Sequence, residues 1–196
     1  MLKKVNYLFL LPILSSLSMP AWADWQLNSA ESSLHYVTSK ASAVSEVNTF
    51  TNLDGRITEQ GSASLQIDLA SVDTAIEIRD QRVRDLLFEV GQFPSASITI
   101  EVNTAELATM ATGSSQRAEY GYSSNLHGVS QNLRADLRVT KISPTRIEIQ
   151  PARPIILSAD SFGMTDGVEA LREIAALPSI NHNVVVDFTL VYDNGM

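Results

Sequence analysis

The sequence predicts a mainly β protein built on an antiparallel sheet, with one or two short helices. Three observations carry this. Apolar and polar residues alternate with period two in seven to nine separate runs. One charged segment, Ser71 to Pro94, departs from that alternation into helical spacing. No rhythm of alternating strands and long helices is present, which argues against a parallel sheet. A sandwich and a closed barrel produce nearly the same alternation, so the pattern alone leaves both open.

Taken in order, Asp24 to Lys40 reads as a short lead-in and a first strand, with Leu34, Tyr36 and Thr38 opposite His35, Val37 and Ser39. Val47 to Ile57 reads as a second strand with a hairpin signal at Asp54-Gly55. Ser64 to Leu69 places Leu65, Ile67 and Leu69 on one face. The insert follows. It starts extended, then Ile76, Val83, Leu87 and Val90 repeat at helical spacing. Asp80 and Arg84 are spaced for an i,i+4 ion pair, and Gly91 and Pro94 are stop signals. A charged helix between strands suggests a plug or lid on a barrel.

Ser97 to Val102 alternates again, with Ile98, Ile100 and Val102 on one face. Thr109 to Gln116 is rich in Ala, Thr, Ser and Gly and predicts a loop. Arg117 to Leu126 carries Tyr120 and Tyr122 at strand spacing, and His127 to Asn132 reads as a turn. Leu133, Ala135, Leu137 and Val139 then share a face, and Arg146 to Gln150 gives a further strand. Pro151 and Pro154 punctuate the link to Ile155-Ile156-Leu157. A short helix is predicted over Val168 to Leu177, stopped at Pro178. The last strand, Asn183 to Tyr192, aligns Val184, Val186, Phe188 and Leu190.

Several of these segments together resemble the YceI-like proteins. The insert carries Ser71-Val72-x-Thr74, Arg79-Asp80-x-Arg82, Leu87-Phe88-Glu89 and Phe93-Pro94. Ser32 to Val37 is similar to the family's first strand, and Phe50 with Asp54-Gly55-Arg56-Ile57 to its second. Leu126 to Ser130 and Phe162-Gly163-Met164 match later elements, in the right order. Tyr36 stands where the family usually has Phe, and Ser130 where it has Thr. The resemblance implies a lipocalin-like β-barrel that binds a polyisoprenoid lipid. An eight-stranded barrel of about this size just holds one small or elongated ligand.

The ends and composition set the expected compartment. Lys3 and Lys4, the apolar run Tyr7 to Leu17 and the small-x-small site Ala21-Trp22-Ala23 describe a signal peptide over residues 1–23, with a mature domain over 24–196. The apolar run is shorter than the roughly 20 residues a membrane span needs. Secretion to the periplasm without stable membrane insertion is the expectation. The chain has no Cys, so disulfides, thiol chemistry and lipoprotein acylation are excluded. With 14 Lys+Arg against 22 Asp+Glu, the formal charge is -8, which argues against nucleic acid and against anionic membrane surfaces as general partners.

Leu34, Tyr36, Leu65, Ile67, Ile100, Leu137, Val186 and Phe188 are candidates for an apolar cavity wall, with Tyr120 and Tyr122 at its border. The same residues suit an ordinary filled core. Arg79, Arg82 and Arg84 are candidates to meet a ligand head group, a quinone or a polyprenyl phosphate; a solvated helix face is the competing reading. His35, His127 and His182 lack any metal-binding spacing, so no metal is expected and no cofactor beyond a bound isoprenoid lipid. No nucleophile elbow or phosphate loop is present, so no catalytic residue is expected. Three functions compete. A lipid carrier predicts an apolar cavity. An interaction protein predicts a filled barrel. A lipid- or ester-modifying enzyme predicts a polar cluster deep inside, with His35 or His127 and an acid. A homodimer through an exposed sheet edge is a further expectation.

Overall fold

Alternation becomes strand at nearly every expected place in the computed structural model, which describes residues 24–41 and 43–195. The signal peptide expected over residues 1–23 lies outside the described residues. The strands are β1 (Trp25–Leu27), β2 (Ser33–Lys40), β3 (Val44–Phe50), β4 (Leu53–Ile57), β5 (Ser62–Asp68), β6 (Val72–Asp73), β7 (Ser95–Glu101), β8 (Ser115–Leu126), β9 (Val129–Ser143), β10 (Arg146–Pro151), β11 (Ile155–Ser158) and β12 (Asn183–Asn194). The helices are α1 (Glu77–Arg82), α2 (Thr104–Thr109) and α3 (Thr165–Ile174).

The barrel is closed and antiparallel. Its order runs β1-β4-β5-β7-β8-β9-β10-β12, and β12 returns to β1 through Trp25 opposite Asn194. β12 is long enough to serve two neighbourhoods. Its C-terminal half pairs with β10 and β1, and its N-terminal half with β2 and β11. β2 carries β3, and β3 meets β6 only at Thr49 and Phe50. The barrel resolves the choice between sandwich and barrel, because a ring of paired strands has no edge there.

The second predicted strand is two strands. The chain breaks at Thr51-Asn52, so β3 and β4 pair with different partners. Gly55 is therefore not a turn residue. It lies in β4, where an added Cβ would meet Ser64 O at 2.8 Å and the Tyr192 hydroxyl at 2.9 Å. The hairpin itself is at residues 58–61. The predicted turn at His127 to Asn132 contracts to His127 and Gly128, both left-handed at φ 53° and 74°, as a two-residue hairpin requires.

The insert is shorter and less regular than the periodicity predicts. α1 ends at Arg82 and passes into a π-turn over Val83–Leu87. Val83 is buried, but Ile76 precedes the helix and is 48% exposed, so it does not join the apolar stripe. The expected Asp80–Arg84 pair does not form. Asp80 instead accepts from the Thr74 N–H at 2.7 Å and the Thr74 hydroxyl at 2.5 Å, while Arg84 turns to the Ala70 carbonyl. α2 was not anticipated; it falls just before and within the expected loop. Asn103 caps it by accepting from Ala105 N–H, and its side-chain amide donates to Glu106.

Trp25, Ile57 and Ile147 are buried at the β1 end. Lys141 faces inward there opposite Ile147, buried with its ammonium 4.5 Å above the Trp25 ring. Desolvation holds its pKa below the ordinary lysine value. No helix among the described residues is long and apolar enough to cross a membrane.

Candidate functional site

The inward faces of the strands do not fill the barrel. Two chambers remain, of about 250 Å³ and about 380 Å³, and they share Leu34, Leu157 and Val186 in their walls. The filled-barrel expectation fails on that observation. The first chamber lies under α1 and α3. Tyr36, Phe50 and Phe88 form its aromatic wall, with Tyr36 stacked on Phe50 at 5.6 Å and Phe50 against Phe88 at 5.7 Å. Burial pushes the Tyr36 phenol well above its ordinary pKa, so it stays neutral. Val168, Leu171 and Ile174 of α3 and Val83 and Leu87 of the π-turn close it from above.

The second chamber lies deeper in the barrel. Leu65, Ile98, Ile100, Leu137, Phe188 and Leu190 build its wall, with Tyr120 and Tyr122 beside them. Its charged lining residues are Glu101 and Glu106, whereas those of the first chamber are Lys40, Arg79, Arg82 and His182. The cavity is therefore apolar along its length, basic at one end and acidic at the other.

Of the residues expected to line a cavity, Leu34 and Val186 stand at the junction, Tyr36 in the first chamber, and Leu65, Ile100, Tyr120, Tyr122, Leu137 and Phe188 in the second. Ile67 faces inward but is buried in the solid core outside both chambers. The three arginines separate. Arg79 is held in place by the Thr74 hydroxyl at 2.7 Å, the Thr74 carbonyl and Glu46 at 2.7 Å. Lys40 also bonds Glu46, and these two cations hold that carboxyl below the usual glutamate range. Arg82 lines the first chamber with no hydrogen-bond or ion-pair partner among the described residues. Arg84 points away from the cavity.

The YceI-like domain matches residues 25–192 of the chain. This chain belongs to the YceI-like family. A polyisoprenoid binding domain from Saccharophagus degradans, implicated in plant cell wall breakdown, is 36% identical, with a TM-score of 0.87 over 89% of this chain and 99% of that one. BcnA of Burkholderia cenocepacia shares the fold at 17% identity and a TM-score of 0.64, covering 84% of this chain and 98% of its own. The YceI protein of Campylobacter jejuni does so at 12% and 0.55, covering 76% and 85%. No curated protein matches the chain.

The histidines of this YceI-like protein stay apart. His35 faces outward on β2, and its Nδ1 is buried without a partner. His127 lies 2.7 Å from Glu89 and against Phe93, so its bond is long-range rather than local. Neither lines a chamber, so the polar cluster that an enzyme reading predicted around them is not inside the barrel. His182 bonds two carboxylates. Its Nδ1 is 2.6 Å from Asp160 and its Nε2 3.2 Å from Glu169.

A neutral imidazole has one N–H, so only the imidazolium donates to both carboxylates. These bonds raise the His182 pKa above its ordinary value, Asp160 first and Glu169 second. Asp160 is lowered by Thr165 and then His182, and Glu169 by Arg172 and then His182. The linkage has a definite sign. The histidine contribution is complete below its unfolded pKa and is lost as pH rises through its raised folded value. The carboxylate contributions are present above their unfolded values and are lost as pH falls through the lowered folded ones. We expect α3 to be held most firmly between those limits. Proton-detected titration of His182 is expected to show a pKa above the ordinary histidine value, with α3 amide protection falling over the same rise in pH. Titration at the ordinary value would show that the doubly bonded imidazolium does not form.

Sequence reasoning missed several wall residues. Phe162 and Met164 flank Gly163, which ends a 3₁₀ turn in the left-handed conformation at φ 69°, and both line the first chamber. Their resemblance motif marked the segment without revealing its direction. Gly167 of α3 has Leu86 O 2.6 Å and Leu87 Cα 2.9 Å from where a Cβ would stand, which is what lets α3 lie directly on the π-turn.

Proposed function

We propose that this protein is an exported, periplasmic carrier of an isoprenoid lipid, with the chain in the two chambers and the head group at the basic end. The observation that carries this reading is the pair of adjoining apolar chambers inside a closed barrel. Burying each methylene contributes about 0.8 kcal/mol, so a long hydrocarbon is held with few polar contacts. Ordering the flexible chain offsets part of that gain. The polyisoprenoid binding domain at 36% identity supports the same ligand class. Most of the wall is aliphatic and aromatic, and the histidine that lines it, His182, has both ring nitrogens tied to Asp160 and Glu169, which favours carriage over chemistry.

A quinone and a polyprenyl phosphate are both compatible with the apolar chambers. Unpaired Arg82 at the rim favours the phosphate, because a guanidinium binds phosphate oxygens with paired N–H donors. Arg82→Gln is expected to weaken binding of geranylgeranyl phosphate about tenfold and to leave geranylgeraniol unchanged. Fluorescence competition with the two ligands measures this; equal losses for both would remove Arg82 from head-group recognition. The function itself is tested by purifying the exported protein without detergent and extracting it for lipid mass spectrometry. A stoichiometric isoprenoid is expected. Empty protein that also refuses added isoprenoids would overturn the carrier.

A further inference from the structure

Three polar side chains in the wall of the first chamber are more than nine-tenths buried: Tyr36, Asn48 and Thr74. Two of them are tied to the protein. The Thr74 hydroxyl donates to Asp80 and accepts from Arg79 Nε. The Asn48 carboxamide donates to Thr38 Oγ1 at 3.2 Å and to the Tyr36 carbonyl at 3.4 Å. The Tyr36 hydroxyl has no hydrogen-bond partner among the described residues, although the residue is only 8% exposed. Nor is that hydroxyl sealed in the wall. Among the described residues, the sealed side-chain atom left without a partner is His35 Nδ1. The Tyr36 oxygen therefore keeps a little accessible surface, and the space its side chain borders is the chamber.

The strands and one aromatic contact fix where this hydroxyl stands. Tyr36 lies opposite Asn48 in the β2–β3 register, both inward, and its ring is stacked on Phe50. After burial itself, Asp80 and then Arg79 act on the phenol, which places its tip beside α1. Arg82, the unpaired cation of this chamber, lies one turn along α1 from Arg79. A neutral phenol offers an O–H. A hydrocarbon lying against it would take that donor out of water and leave its bond unmade, which is unfavourable. An oxygen at the same depth accepts the bond and removes that penalty.

We infer that Tyr36 sets the head-group specificity of the first chamber by donating a hydrogen bond to the oxygen that ends the isoprenoid chain. That oxygen is common to a free isoprenoid alcohol and to its phosphate ester. Arg82 then meets only the phosphate oxygens beyond it, so the two residues read different atoms. The bond also fixes the direction of the ligand, because a chain lying the other way would leave the hydroxyl facing hydrocarbon. This assignment rests on the carrier reading and deepens it.

Tyr36→Phe tests it, since the variant removes the hydroxyl and keeps the ring on Phe50. The hydroxyl bonds nothing in the protein, so the Tm of the ligand-free variant is expected not to fall. Binding is measured by fluorescence competition with geranylgeraniol, geranylgeranyl phosphate and the same chain ending in a methyl group. The variant is expected to bind the first two about tenfold more weakly and the hydrocarbon unchanged. A site built around a polar partner discriminates in this asymmetric way. A loss shared by alcohol and phosphate identifies the chain-ending oxygen as the acceptor in both; a loss for one alone names that ligand as its source. Equal changes for all three ligands, no change for any, or a lower Tm in the ligand-free variant would overturn the assignment and leave the carrier in place. Wild-type protein that binds none of the three would overturn the carrier itself, and the assignment with it.

Discussion

Val186→Phe is expected to divide the cavity and to select against long ligands. Val186 faces inward on β12 between Ile155 and Tyr36, and its side chain belongs to both chambers. The added ring enters open space rather than packed core, so the usual cost of overpacking is reduced. A long isoprenoid then loses access to the second chamber and the burial it provides. We expect its affinity to fall on the order of 100-fold, about 2.7 kcal/mol, while farnesol, which fits one chamber, changes by no more than about threefold. A chain-length series titrated against wild type and variant measures this. Equal losses at every length would mean that the chambers do not act as one channel.

The largest loss of stability is expected at Gly61. This residue closes the β4–β5 hairpin with φ +93°, donating its N–H to Thr58 O and accepting from Val102 N–H at 2.8 Å. An added Cβ would sit against the Val102 carbonyl oxygen in a backbone conformation that non-glycine residues adopt with strain. The two effects act together in Gly61→Ala, and we expect a loss of about 3 kcal/mol. For a domain of this size that lowers Tm by roughly 6–12 °C. Gly121 in β8 has nothing within 4 Å of an added Cβ and no positive φ, so Gly121→Ala is expected to stay within about 0.5 kcal/mol of wild type. Thermal unfolding of both variants checks the pair, and similar Tm values would mean that the hairpin relaxes around the new methyl group.

The strand pattern was legible because period two reports which face a side chain takes. Leu65 and Ile67 show the limit of that signal. Both face inward on β5, yet one lines a chamber and the other is buried in solid core. Alternation carries direction and not depth, and depth depends on strands far apart in sequence. The arginines of the insert show a related limit. Arg79 and Arg82 lie three residues apart and reach one side of α1, whereas Arg84 falls in the π-turn and turns elsewhere. The expected Asp80–Arg84 pair is replaced by the bonds that Thr74 donates to Asp80, while Arg84 donates to the Ala70 carbonyl. His182 was illegible for a different reason: its partners stand 22 and 13 residues away. α2, by contrast, carried its own signal in Asn103, a helix cap whose side chain also meets Glu106, just ahead of the Thr109–Gln116 segment read as a loop.

The central claim is that one lipid lies through both chambers with its head at the basic mouth. A crystal structure with an isoprenyl phosphate bearing bromine at its tail tests that directly. The bromine anomalous peak is predicted in the second chamber, near Tyr120 and Leu137, with the phosphate beside Arg82. A bromine on the outer wall, or a barrel that stays empty at saturating ligand, would contradict it.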